Sequence, residues 1–388
     1  INGRDGYTND VLEDYEKEVE LREAWVQGKL TDFLDIKVGR QIVVWGRSDN
    51  VRITDVLNPL DMREPGMTDI EDLRLPLWMT RVDAYFGNWN LTGIAIHEMR
   101  FNKTPPYGSD FYPEIIPMSE LGISLSGFGG FMPDENMPQH GGDNTEYAIA
   151  LNGNFSGWDI SFYWANFYND LPHPDLDVDV AWLPPVIPRL GMNFELKHAR
   201  VNMVGSAFNV TKGNWLFKGE VAYFSGLRFY DVDVDIDVDM LGVQFDLESN
   251  KKYYRADALL GIEYSGFENT TISIDAANRY ITNYDEILDV PFIGDEILEI
   301  LGVKENEFQW FVRVSRNFMN ETLTLNFLAA IYGWKGQDGA VERFWAEYDL
   351  TDNIKVTGGV VFFESGELIN FRNIGKNDRL FLEIKYSF

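Results

Sequence analysis

Apolar and polar residues alternate with a period of two through segment after segment of this chain, and that rhythm leaves few folds open. Residues 34, 36, 38, 42 and 44 are Leu, Ile, Val, Ile and Val, with Asp35, Lys37 and Gln41 between them. Trp158, Ile160, Phe162 and Trp164 repeat it, as do Trp215, Phe217, Gly219, Val221 and Tyr223 opposite Lys218 and Glu220. It returns at the even positions of 254–264 and 308–314, at the odd positions of 323–331, and at the even positions of 344–350 and 354–362. Ala199, Val201 and Met203, around Arg200 and Asn202, read the same way. Successive side chains of a strand point to opposite faces, so each segment reads as a strand with one apolar and one wet face.

The connections alternate too. Short turns rich in Gly, Asn and Asp fall at 31–32, 87–88, 152–154, 211–214, 266–270, 319–321 and 351–353, as tight hairpins require. Between the hairpins lie long segments at 47–75, 102–144, 169–193, 226–250, 282–306 and 364–378; only 335–339 is short. Short turns at one end and long loops at the other are the plan of a bacterial outer-membrane barrel, with the short end periplasmic and the long loops extracellular. The expected fold is all-β: one transmembrane antiparallel up-and-down β-barrel over residues 1–388. Fifteen strands can be counted. An even number is usual, so a strand before Ile1 would make sixteen; fourteen follows if 145–151 or 271–281 is not a strand.

Composition agrees. Mean hydropathy is −0.23, and no apolar run approaches the ~20 residues of a membrane-spanning helix. Aromatic residues make up 14% of the chain, as aromatic girdles demand. Cysteine is absent, which suits an exported protein. The net charge of −29 excludes nucleic acid as a partner and suits loops that face divalent cations and lipopolysaccharide.

The last nine residues alternate as well and end on Tyr386 and Phe388. This tail resembles the insertion signal of outer-membrane barrels, which implies recognition by the barrel assembly machinery; truncating Phe388 should then impair assembly. Residues 39–65 carry GRQ, then WG, then NPLD. In that order they resemble a large family of Gram-negative outer-membrane barrels known mainly as a domain of unknown function. The GRQ strand is similar to those of alginate-export and substrate-specific porins. The resemblance covers roughly residues 33–101 and the last strand. It implies an outer-membrane channel or transport barrel, and brings no functional residues with it.

The wet face of a barrel strand lines the lumen. By register the lumen receives Lys37, Gln41, Arg81, Asp83, Arg200, Lys218, Glu220, Arg255, Asp257, Asp275, Arg279, Arg313, Arg343, Glu347, Glu383 and Lys385. These set selectivity by charge, or pair off and merely fill a solvated interior. Lipid receives Trp158, Ile160, Phe162, Trp164, Trp215, Phe217, Phe308 and Trp310. Arg40 falls in the lipid-facing register, which costs a few kcal/mol at mid-membrane. Either a bulge at Gly39 turns it inward, or it lies near an interface and snorkels.

Asp231, Asp233, Asp235, Asp237 and Asp239 lie on one face of an extended segment at roughly 7 Å intervals. Asp175, Asp177 and Asp179 form a shorter row that would face it. The rows read as a Ca2+ site or as the solvated face of a strand continuing above the membrane. Residues 284–303 read as a short helix over the pore, and 47–75 as a constriction. His97, His140, His173 and His198 lack metal-ligand spacing. No nucleophile elbow occurs, and His198 reads as lumen-facing without a serine partner, so no enzyme is expected.

Three functions remain open. A wide polar lumen would mark a channel for small solutes, its acidic mouth favouring cations and its lumen arginines opposing that. An apolar pocket plugged by an N-terminal segment, with a lateral opening, would mark a transporter of hydrophobic compounds or lipids. A lumen sealed by its own charge pairs would mark a structural barrel or a subunit of an envelope complex.

Overall fold

The computed structural model describes residues 7–113, 134–183, 187–238, 243–249, 251–284 and 303–387. Its strands are β1 (Ala24–Thr31), β2 (Leu34–Gln41), β3 (Leu77–Phe86), β4 (Trp89–Ile96), β5 (Asp134–Asn136), β6 (Glu146–Phe155), β7 (Trp158–Tyr168), β8 (His173–Leu183), β9 (Ile187–Lys197) and β10 (Arg200–Lys212). There follow β11 (Trp215–Leu227), β12 (Asp231–Val238), β13 (Val243–Ser249), β14 (Tyr253–Phe267), β15 (Thr270–Ile281), β16 (Asn306–Phe318), β17 (Leu323–Tyr332), β18 (Gly339–Thr351), β19 (Ile354–Glu364) and β20 (Arg379–Tyr386). Two short helices, α1 (Asn9–Glu16) and α2 (Ile70–Leu73), precede β1 and β3.

Fifteen of the strands form one antiparallel sheet in chain order, from β1 to β20. Both of the faintest alternating segments, 145–151 and 271–281, are strands of it, β6 and β15. Each neighbour follows its predecessor through a hairpin or a long connection, so the sheet is an up-and-down meander. Among the described residues β1 pairs only with β2, and β20 only with β19. Three connections, β4 to β6, β7 to β10 and β11 to β14, carry a second, five-stranded sheet in the order β13-β12-β8-β9-β5. Sequence reading placed long connections there, with an extended segment at 231–239.

The alternation has the expected geometric meaning. In β7 Trp158, Phe162 and Trp164 are exposed, while Ser161, Tyr163 and Ala165 between them are buried. In β11 Trp215, Phe217, Val221 and Tyr223 are exposed, and Lys218, Glu220, Ala222 and Phe224 are buried. Trp310 and Phe308 are half-buried, covered by Trp334 at ring-centroid distances of 5.4 and 4.8 Å. Large exposed side chains of this kind continue on the same face through Leu260, Ile274, Leu325, Phe344, Phe362 and Leu380. A soluble monomer rarely exposes an apolar patch beyond a few hundred Å². A face this extensive is stable against lipid and not against water. Among the described residues no helix is long and apolar enough to cross a membrane.

The other face is rolled around residues 43–75, the connection between β2 and β3. That one segment touches β7 through Arg47 and Ser161, β11 through Glu220, β15 through Asp275, and β16 and β18 through Asp69. A flat sheet cannot bring β7 and β18 to one short segment, so the meander is the wall of a barrel. Val43, Trp45, Val51, Ile53 and Leu57 pack in one apolar cluster with wall residues Ala148, Tyr163, Val201, Met203 and Leu259.

Candidate functional site

Of the three sequence motifs of residues 39–65, GRQ ends β2, and WG and NPLD lie in the inner segment. Gly39 has φ +136°, and a Cβ there would stand 2.4 Å from the carbonyl oxygen of Ala24 and 2.7 Å from Cα of Trp25. Only glycine lets β1 approach β2 so closely. Arg40 lies at the end of β2, where it pairs with Glu20 at 3.1 Å and Glu98 at 3.6 Å. Pairing of β2 with both neighbours runs through Gly39 and Arg40 without a register shift. No bulge turns Arg40; two carboxylates meet it at the strand end. Gln41 is fully buried and donates to the Met79 carbonyl at 3.1 Å.

Trp45 stacks on Tyr163 at 4.7 Å. Gly46 has φ +86°, and a Cβ on it would meet both Glu220 carboxylate oxygens at 2.9 Å. Asn58, fully buried, ties the two ends of the segment together. Its Oδ1 accepts from the Val43 N–H at 2.8 Å, and its Nδ2 donates to the Leu75 carbonyl at 2.8 Å. Asp61 accepts from the Arg63 N–H and guanidinium. Burial opposes ionisation of Asp61, and Arg63 outweighs it, so its pKa falls below the ordinary value.

The wall holds the segment through charge. Glu220 is 3% exposed; its Oε1 accepts from the N–H groups of Arg47 and Ser48, and its Oε2 from the N–H and Oγ1–H of Thr54. A buried carboxylate is tolerable only when so satisfied. Asp275, fully buried, accepts from Ser48 Oγ at 2.9 Å and Asn50 Nδ2 at 2.8 Å. Lys218 pairs with Asp49 and Glu263, each at 3.5 Å. Arg47 reaches Asp159 of β7. Arg279 donates to the Arg52 carbonyl and stands 3.8 Å from Asp257, to which Arg255 also donates. Within the segment Asp55 pairs with Arg52 and Arg74, and Arg74 is 2% exposed. Asp69 bridges Arg313 and Arg343.

The inner face therefore carries Gln41, Asp83, Lys218, Glu220, Arg255, Asp257, Asp275, Arg279, Arg313, Arg343 and Glu347, with Lys37 over the Trp25 ring and Arg81 paired to Asp83. Glu383 and Lys385 of β20 are exposed. Arg200 is on the opposite face. Val201 and Met203 are fully buried against the inner segment, whereas Asn202 and Val204 are exposed, so Arg200 sits outside at the strand end. There it stacks on Tyr168 and donates to Asn166. The expectation failed because the lumen beside β10 is packed and apolar, which inverts the sign of the pattern. His198 does not line the lumen either: it is clamped between the Asn169 carbonyl and Glu135, and stacks on Phe101 among the long connections. Asp49, Asp55, Asp69 and Arg74 escaped sequence reading because the segment has no periodicity.

The aspartate rows meet in register. β8 and β12 run parallel, with Asp175 beside Asp231, Asp177 beside Asp233 and Asp179 beside Asp235. β13 adds Glu248 beside Asp233 and Asp246 beside Asp235. In this register the acidic positions of the three strands fall in the same cross-strand rows. Asp239, Phe388 and most of 284–303 lie outside the described residues. Among the described residues no three acidic or histidine side chains converge on a cation.

An antiparallel meander with an apolar outer face, rolled around a packed and ion-paired segment, is a membrane β-barrel with an occupied lumen. The chain belongs to the family described as "Protein of unknown function (DUF1302)", whose model matches residues 1–388. No curated protein matches it in sequence. Solved structures similar to it include Pseudomonas aeruginosa OccK8 (OprE), with 11% identity over 88% of this chain and 75% of that one and a TM-score of 0.42. A BenF-like porin from Pseudomonas fluorescens Pf-5 has 12% identity over 93% and 74%, TM-score 0.40. An anion-selective porin from Comamonas acidovorans has 11% over 93% and 87%, TM-score 0.40.

Proposed function

We propose that the protein is a bacterial outer-membrane channel for small solutes, and that residues 43–75 form its gate. The carrying observation is Glu220: one buried wall carboxylate accepts four hydrogen bonds from a single luminal segment. Such a contact holds a chain in place while remaining breakable, because it is polar at both ends. The wall charges that a solute would meet are engaged by the segment, so the channel rests closed and conducts when the segment shifts. Single-channel recording in planar bilayers tests this. The native barrel should open rarely, and Glu220→Gln should open more often. Silence of both proteins would sink the reading.

A second reading, a transporter of hydrophobic compounds, draws on the apolar cluster between the segment and β6, β7 and β10. It predicts uptake of an apolar dye into vesicles without ionic conductance. For the acidic sheet we propose Ca2+ binding outside the membrane. Calcium should then protect residues 173–249 from protease, and chelation should remove the protection.

A further inference from the structure

Arg313, Leu328 and Arg343 occupy one cross-strand row of the inner wall, on β16, β17 and β18. Both guanidiniums lie against Trp345, at 5.5 and 4.2 Å from its ring, and Arg343 also against Phe381 at 4.9 Å. Two cations held side by side over aromatic rings need an anion. The one that hydrogen-bonds both is the carboxylate of Asp69, lent by the inner segment; Glu347 and Glu383 act on Arg343 only at a distance. Its Oδ1 accepts from Arg343 Nη1 at 3.0 Å, and its Oδ2 from Arg313 Nη2 at 3.2 Å.

That arrangement under-uses the arginines. A guanidinium offers five N–H donors in a fork that suits bidentate carboxylate binding; here each gives Asp69 one. Arg343 is 5% exposed, and its Nε has no hydrogen-bond partner. The nearby carboxylate of Glu347 is already taken by Asn326, Trp345 Nε1 and Lys355. Asp69 itself keeps 30% of its side chain exposed, and Arg313 25%, so solvent reaches the pair. Apolar surface surrounds it, from Leu328 and Val361 in the row to Trp345 and Phe381 beside it. Gly66, three residues before Asp69, packs on Val341 and Val361, so the bridge seats the segment on this part of the wall.

We propose that Arg313, Arg343 and Trp345 form a binding site for a small amphiphilic monocarboxylate, and that Asp69 occupies its carboxylate position until such a ligand displaces it. A monocarboxylate replaces Asp69 without changing the local charge, while its apolar body covers Leu328 and the aromatic rings. The inference rests on the channel reading, since it names the solute and makes its binding the event that frees the segment.

Calorimetry on the purified barrel, against micelle blanks, tests it with hexanoate, hexanol and hexylammonium. Hexanoate should bind and the other two should not. Asp69→Asn removes the internal competitor and should tighten hexanoate about tenfold, since affinity scales with the free fraction of the site. Arg313→Gln should weaken hexanoate at least about tenfold, the loss expected for a charged hydrogen bond. Arg313→Lys keeps the charge and loses the fork, and should fall between. Heat-modifiable migration verifies that each variant is folded. Hexanoate binding no better than hexanol in both the native and Asp69→Asn barrels overturns the site. Conductance indifferent to hexanoate overturns it too and leaves the channel standing. Hexanoate binding that depends on Asp69 and Arg313 without any conductance upholds the site and overturns the channel.

Discussion

At the scale of single residues, the oddities of the sequence turn out to be points of close contact. Gly39→Ala would drive a Cβ into the Ala24 carbonyl and the Trp25 backbone at a positive φ. The expected result is a loss of roughly 1–3 kcal/mol, the range for backbone strain of this kind. Folded yield and the temperature of heat modification measure it; an unchanged barrel would refute the contact. Glu18 gives a pH-dependent case outside the strands. Hydrogen bonds from Lys103 and Arg63 hold its carboxyl down at about 2. A depressed carboxylate stabilises above its unfolded value near 4.5 and loses that contribution as pH falls through its folded value. The contacts of residues 18–20 with Arg63 and Lys103 should therefore survive at pH 6 and be lost between about 4.5 and 2. Hydrogen exchange of residues 9–20 at pH 6 and pH 2.5 checks this, with equal protection at both as the contrary result.

At the scale of elements, register is the claim most exposed to test. Cysteines at Trp158, Phe162, Trp164, Trp215 and Phe217 should react only with membrane-soluble reagents, because these positions alternate with buried Ser161, Tyr163 and Lys218. Water-soluble maleimide reaching most of them would reverse the faces of β7 and β11. The inner segment is the other element on trial. Glu220→Gln replaces one of two acceptor oxygens by a donor aimed at N–H groups. An unsatisfied buried donor costs about 1–3 kcal/mol, so the segment should loosen by that much. Protease sensitivity of residues 43–75 should rise while the barrel stays heat-modifiable. Unchanged sensitivity would show that the apolar cluster alone holds the segment.

At the scale of the whole molecule, two opposing charge distributions would act on an ion passing the proposed channel. A net charge of −29 would concentrate cations at the mouth within a Debye length, about 8 Å at physiological salt. Arg313 and Arg343 act inside. The open channel should prefer cations at low salt, where screening of the mouth is weakest, and lose that preference as salt rises. Asp69→Asn should move it toward anions at every salt. Reversal potentials in a salt gradient decide; a native channel selective for anions at both low and high salt would show that the lumen outweighs the mouth.

The sequence alone determined the wall. A period of two can be satisfied only by a strand with unlike faces, and turn residues at regular spacing then mark the hairpins, so the antiparallel wall was legible, down to the exposed positions of Trp158 and Phe162. It also anticipated that the aspartate rows of 175–179 and 231–235 would meet, since equal spacing allows register. It pointed to 47–75 as a constriction; what it could not determine was which wall residues hold that segment. Residues 43–75 have no period, and their contacts join Asp69 to Arg343 and Ser48 to Asp275 across more than two hundred residues of chain. Such pairings exist only once the sheet is rolled. The face of Arg200 was lost for the same reason: alternation says that two faces differ, but which one meets lipid depends on what is packed against the other, and beside β10 the packed face is as apolar as the outside.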